Sequence, residues 1–234
     1  MTGSKDLVDL SVKGGTVADE GLFDAKQAEV GLTGRPLREF PQPEPLEKHG
    51  PATIISMVNQ KGGVGKTTSS INLGACLAEQ GRKVLLVDLD PQGALSAGLG
   101  VTHDEDQVTV YDLMLDNTSS IHSAIKRTNV SGLDLVPANI DLSAAEIQLV
   151  NEVGREQTLG RALRPVRGEY DFIIIDCQPS LGLLTVNALA CSQGVIIPME
   201  CEYFSLRGLA LLADTVEKVR DRINFDLDLS LIHI

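Results

Sequence analysis

The segment Asn59-Gln60-Lys61-Gly62-Gly63-Val64-Gly65-Lys66-Thr67-Thr68 constrains this chain more than any other. It follows the apolar run Ile54–Val58 and precedes a stretch of helical character, Thr67–Glu79. Glycines at 62, 63 and 65 let the backbone turn tightly and aim its N–H groups inward without obstruction by Cβ. A helix that starts directly after the loop adds the positive end of its dipole. Strand, glycine loop and helix in this order make a phosphate-binding loop, formed by Lys61, Gly62, Gly63, Val64, Gly65, Lys66, Thr67 and Thr68. Lys66 is placed to reach β- and γ-phosphates, the Thr67 hydroxyl to ligate Mg²⁺, and Thr68 to donate to the α-phosphate. The generic pattern GxxxxGK[ST] is not strictly met, because Gln60 stands at the first glycine and a second lysine, Lys61, lies five residues before Lys66. A flexible glycine turn with two solvated lysines leaves the flanking strand and helix unexplained.

Short apolar runs recur along the chain at Thr53–Val58, Val84–Val87, Leu133–Val136, Phe172–Ile175 and Val195–Ile197, with helix-like stretches among them. Near-continuous apolar strands are buried on both faces, so the expected fold is α/β, a mostly parallel sheet with helices on both faces. Gly81 marks the end of the first helix, and Ser143 with Glu146 reads as a capping box opening another. Residues 1–51 show no sustained period and carry prolines at 36, 41, 43, 45 and 51, which favour extended, solvated chain. We expect a disordered leader there and one folded domain over 52–234. Leu227, Leu229, Leu231, Ile232 and Ile234 read as a strand with nothing to cover it. The expectation is a domain lacking its C-terminal elements, with Ser230–Ile234 resembling translated adapter read-through.

Two further runs supply acids. Asp88 and Asp90 follow Val84–Val87, and Asp176 follows Phe172–Ile175. A lone Asp after an apolar strand is usually a loop residue or a helix cap. In an open parallel sheet, however, ligands bind beyond the carboxyl ends of the strands, where these acids and the glycine loop converge.

Charge and cysteine usage narrow the function classes. The chain has 20 basic and 32 acidic residues, a formal charge of −12, with 14 basic and 23 acidic groups beyond residue 50. That balance excludes a generally basic nucleic-acid coat but allows a local patch. Arg155, Arg161, Arg164 and Arg167, and separately Lys218, Arg220 and Arg222, are the candidates, although neighbouring acids make ordinary solvated helix faces the plainer reading. Aromatics are 3% of the chain, so contact with nucleic acid would be with the backbone and independent of sequence. The four cysteines form no CxxC pair and the four histidines show no ligand spacing, which argues against a zinc finger or disulfide framework. No apolar run is long enough to span a bilayer, and the reading is a cytosolic protein.

The stretches Lys61–Thr68, Leu85–Gly93, Asp171–Leu189 and Val195–Leu212 resemble the ParA/Soj family of chromosome and plasmid partitioning ATPases. This is a P-loop NTPase group with a deviant Walker A loop, related to MinD, and the likeness runs from about residue 53 to 223. The resemblance implies hydrolysis of ATP to ADP and phosphate with Mg²⁺, in an ATP-dependent homodimer. It makes Lys61, Lys66 and Asp90 catalytic: Lys61 reaches across the dimer to the partner's phosphates, as an arginine finger does in trans, and Asp90 positions the attacking water. Thr67, Asp88 and Asp176 hold the metal, the acids partly through water. Non-specific double-stranded DNA and a ParB-type protein are the implied partners, the latter stimulating hydrolysis and release. The implied location is the nucleoid in the cytoplasm, with no membrane. A MinD-like membrane-associated positioning ATPase and a non-hydrolysing partner-binding scaffold are the alternatives. Gln178 departs from the family pattern, since many relatives have proline there.

Overall fold

Runs of Val, Ile and Leu too short for helices build a seven-stranded sheet with strand order β3-β4-β2-β5-β1-β6-β7. The computed structural model describes residues 43–44, 46–101, 107–116, 118–200 and 205–233, so the leader up to residue 42 lies outside the described residues. In chain order the elements are β1 (Thr53–Met57), α1 (Lys66–Glu79), β2 (Val84–Leu89), α2 (Ala94–Gly98), α3 (Val110–Leu115), α4 (Ile121–Ala124), β3 (Lys126–Arg127) and β4 (Leu133–Val136). They continue as α5 (Leu142–Gln148), α6 (Thr158–Leu163), β5 (Phe172–Cys177), α7 (Leu183–Cys191), β6 (Gly194–Met199), α8 (Ser205–Arg222) and β7 (Asp228–His233). All neighbouring strands are parallel except the short β3 against β4. This is the expected α/β architecture, and every residue of β2 is buried, as a strand covered on both faces requires.

Parallel pairing sends each connection across a face of the sheet. One face packs Met57, Val84, Leu86, Leu135 and Ile174 against Ala78 of α1 and Leu95 of α2. The other packs Ile54, Leu85, Val87, Ile173 and Ile175 against α3, α5, α6, α7 and α8. The buried residues of α1 are Lys66, Ser70, Gly74 and Ala78, four apart, which lines them along one side of the helix. A Cβ on Gly74 would sit 3.0 Å from the methyls of Leu86 and Leu133, so glycine lets α1 lie close on the sheet.

Strand register positions the acids. Asp176 pairs with Met57 on one side and with Asp88 on the other. Side chains alternate along a strand, so Asp88 and Asp176 share the face of Leu86 and Ile174, under α1 and α2.

The capping box expected at Ser143 and Glu146 does not form. Asp141 precedes α5, the Ser143 hydroxyl donates to the Ile140 carbonyl at 2.8 Å, and Glu146 is used elsewhere. The reciprocal box forms at Thr109 and Asp112, at the start of α3.

Asp171, the residue before β5, ties three segments together. Its Oδ2 accepts the His49 Nδ1–H at 2.7 Å and the Lys83 N–H at 2.8 Å, and its Oδ1 accepts the Gly50 N–H at 3.1 Å. Burial alone would raise its pKa, but the donors from Lys83, His49 and Gly50 outweigh it and hold the carboxyl below its usual value. Such a group adds stability above the unfolded-chain pKa and loses it as pH falls through the lower folded value. Asp171→Ala is expected to cost about 2 kcal/mol in urea unfolding at pH 7, with the gap to the native chain narrowing as pH falls below the ordinary carboxylate range. An equal gap at both pH values would contradict this role.

Candidate phosphate and metal site

The loop after β1 is anchored before it turns. Asn59 donates through Nδ2 to the Pro198 carbonyl at 2.7 Å, and its Oδ1 accepts the Lys61 N–H at 3.0 Å. Gly63 and Gly65 have φ of 77° and 85°, a left-handed conformation that other residues adopt only with strain. Gly65 caps α1 with no side-chain hydrogen bond, so the first-turn N–H groups of the helix face the loop.

Lys66 opens α1 and is only 7% exposed, with Nζ donating to the Lys61 carbonyl at 3.1 Å across the loop. Burial lowers its pKa, while Asp176 and, more weakly, Asp90 oppose the shift. A partly desolvated ammonium interacts more strongly with an anion than a solvated one. Lys61 lies at the exposed side of the loop, and its Nζ pairs with Glu200 Oε2 at 2.8 Å, just beyond β6.

The acids lie beneath. Asp176 is buried and accepts from the Ser70 hydroxyl at 3.1 Å and from Thr67. Its pKa is pushed up to about 6, first by burial and then by the Asp88 carboxylate, against the donors Thr67 and Ser70 and the charge of Lys66. Asp88 is fully buried, with Oδ2 accepting the Ser96 N–H at 2.9 Å and the Ser96 hydroxyl at 2.7 Å, and Oδ1 accepting the Asp90 N–H at 3.2 Å. Burial raises its pKa, opposed by these donors and assisted by Asp90. Asp90 lies at the rim, its Oδ1 accepting the Gln92 N–H at 3.0 Å.

Lys66, Thr67, Asp88 and Asp176 thus gather at the carboxyl ends of β1, β2 and β5. Thr68 is exposed on the next position of α1. Sequence reasoning missed Ser70, which its spacing of four from Lys66 would have revealed, and Ser96, which carried no signal before α2 was placed. It also missed Glu200, 139 residues from Lys61. The 820 Å³ cavity lined by Lys83, Arg127 and Tyr170 lies at the opposite, amino ends of the strands.

The donor set suits a polyphosphate with a hard divalent cation: amides and an ammonium for phosphate, a hydroxyl and carboxylates for metal. Two buried carboxylates side by side, each with a raised pKa, are the independent sign that positive charge belongs beside them.

The comparisons agree with the geometry. A family model described as an AAA domain matches residues 52–229. A chromosome-partitioning ATPase Soj of Treponema pallidum is 54% identical over 175 residues, which are 75% of this chain and 68% of that protein. The chain belongs to the ParA/Soj family. An uncharacterised protein of Mycobacterium tuberculosis is 67% identical over 205 residues, 88% of this chain, and the ParA/Soj-type chain spans 64% of that protein's length. A crystal structure from Mycobacterium smegmatis with bound ADP and magnesium, described as cobyrinic acid a,c-diamide synthase, superposes with TM-score 0.74 at 44% identity over 78% of this chain and 74% of that one.

Other features fit a ParA-like chain without defining it. Lys218 pairs with Asp214 at 2.6 Å, and Arg220 lies 3.6 Å from both Glu217 and Asp221, so the α8 cluster is a solvated helix face. Arg161, Arg164 and Arg167 line one 290 Å³ hollow with Gln193 and Asn224. Among the described residues, no helix is long and apolar enough to cross a membrane.

A carboxyl whose folded pKa is raised destabilises the fold as pH rises through that value. Measured without nucleotide or divalent cation, Asp176→Asn is expected to be more stable than the native chain at pH 7, by at most about 3 kcal/mol, and no more stable at about pH 4. Equal urea midpoints at pH 7 would contradict the assigned strain.

Proposed function

We propose that this chain is the ATPase of a partitioning system, binding Mg²⁺-ATP at the glycine loop. The observation that carries the proposal is the paired Asp88–Asp176 row beneath a loop that holds one buried and one exposed lysine. Lys66 and the loop amides hold the β- and γ-phosphates, and Thr67 with Asp88 and Asp176 holds the cation. Bound there, Mg²⁺ offsets the charge that phosphoryl transfer spreads over the phosphate oxygens. Asp90, at the rim rather than in the buried row, orients the attacking water.

Lys61 acts in a second copy of the chain. An exposed ion pair such as Lys61–Glu200 is worth at most about 1 kcal/mol, so the lysine can exchange Glu200 for a partner's phosphates. A lone subunit then lacks one cation for the transition state, which couples turnover to pairing. Exposed apolar side chains support a covered face: Ile147 and Val153 are 77% and 93% exposed, and Ile140 borders a cleft with Pro91, Gln92 and Gly93, next to Asp90 in sequence. The paired form binds DNA through backbone phosphates, with the hollow of Arg161, Arg164 and Arg167 as the candidate contact. A ParB-type protein stimulates hydrolysis and so releases the DNA.

The test is phosphate release by the purified protein, with double-stranded DNA and a ParB-type partner added separately and together. Slow turnover alone, rising about tenfold or more with both, is expected from a barrier lowered by one supplied group. Stimulation by lipid vesicles, or by cobyrinic acid, in place of DNA and partner would replace this reading. Asp90→Ala is expected to keep ATP-dependent pairing while turnover falls roughly 100-fold, and Lys66→Ala to lose nucleotide binding. Normal hydrolysis by Asp90→Ala would remove it from the mechanism.

A further inference from the structure

The carboxylate of Asp176 is only as well placed as the segment that follows it. β5 ends at Cys177, and the chain must turn back through Gln178–Gly182 into α7. Most ties within this turn are local: the Ser180 N–H donates to the Gln178 carbonyl at 2.8 Å, and the Thr185 hydroxyl to the Ser180 carbonyl at 2.8 Å. A long 3.4 Å bond from the Gln178 N–H to the Leu89 carbonyl reaches β2.

Among the described residues, a side chain that enters from elsewhere is Glu146 of α5. Its Oε1 accepts from Gln178 Nε2 at 3.3 Å and from the Leu184 N–H at 3.3 Å. Leu184 is the second residue of α7, whose N–H has no partner within its own helix, and a carboxylate there also meets the positive end of the helix dipole. A Cβ on Gly182 would collide with the Glu146 carboxylate, so glycine leaves room for it. Gln178 supplies the side-chain amide that reaches the Glu146 carboxylate from within the turn. The connection from β4 into α5 is tied to the other acid: the Ala138 N–H donates to the Ser96 hydroxyl oxygen at 3.4 Å, and that hydroxyl donates to Asp88 at 2.7 Å.

We infer that Glu146 is a positioning residue that, with Gln178 and Gly182, clamps the segment after Asp176 and keeps its carboxylate in register with Asp88. The inference rests on the proposed Mg²⁺-ATP site. It assigns Glu146 no contact with the nucleotide, and it differs from a purely stabilising cap in what it protects: the metal side of the site rather than the fold.

The test compares the full chain with Glu146→Ala, Glu146→Gln and Gln178→Ala. Four readouts are taken: amide exchange over 178–186 without nucleotide, the thermal midpoint, fluorescent-ADP binding with and without Mg²⁺, and the Mg²⁺ concentration giving half-maximal ATP hydrolysis. Glu146→Ala is expected to speed exchange at Leu184 and to raise half-saturating Mg²⁺ roughly tenfold, with magnesium-free ADP binding and thermal midpoint near native. Glu146→Gln, which keeps an acceptor oxygen, should stay within roughly threefold of native, and Gln178→Ala should fall between the two. Native exchange and native Mg²⁺ dependence in Glu146→Ala would overturn the clamp. So would a lowered thermal midpoint with both ADP affinities falling together, the mark of a cap alone. A native chain that binds no magnesium nucleotide overturns the ATPase reading instead, and amide exchange then decides the clamp by itself.

Discussion

Two carboxylates buried in register on adjacent strands are the constraint around which the rest of this structure is arranged. Asp88 and Asp176 are desolvated, burial raises both pKa values, and the charge of Asp88 raises that of Asp176 further, yet neither has a buried cation as a direct ion-pair partner within the described residues. Hydroxyls and amides from Ser70, Thr67, Ser96 and Asp90 support them, which lessens the repulsion without removing it. Sites that hold such strain in the resting fold recover it when a charge of opposite sign arrives. The glycine loop lies directly above, with Lys66 drawn into the protein, and is the place proposed for the accompanying anion.

The sheet makes this possible at little structural expense. Parallel strands put every carboxyl end on one edge, and the pairing of Asp176 with both Met57 and Asp88 places the loop and both acids within neighbouring strands. The helices contribute by face: α1 carries Lys66, Thr67 and Ser70, α2 carries Ser96, and α5 reaches the turn after Asp176. A site built from strand ends and helix starts is held by the core, while its outermost groups, Lys61 and Asp90, remain at the surface where a second molecule or a water can meet them.

Much of this was legible in the sequence for identifiable reasons. The five apolar runs became five strands because a strand covered on both faces needs no alternation, and the glycine loop was readable because its function depends on backbone and local order. What escaped depends on contacts between distant residues. β3 is two residues long, too short for any period. Glu200 meets Lys61 only through the fold. Ser143-x-x-Glu146 has the pattern of a capping box, but the glutamate has a tertiary partner across Gly182, and no local rule can weigh that competition. Register, which joins Asp88 to Asp176, was likewise invisible until the strands were ordered.

The most direct measurement is calorimetric titration of the protein with a non-hydrolysable ATP analogue, with and without magnesium. Binding that is tightened by at least about tenfold when the metal is present, or some 1.4 kcal/mol, is the result this account predicts. Uptake of the analogue to the same extent in both conditions, or no uptake at all, would contradict it.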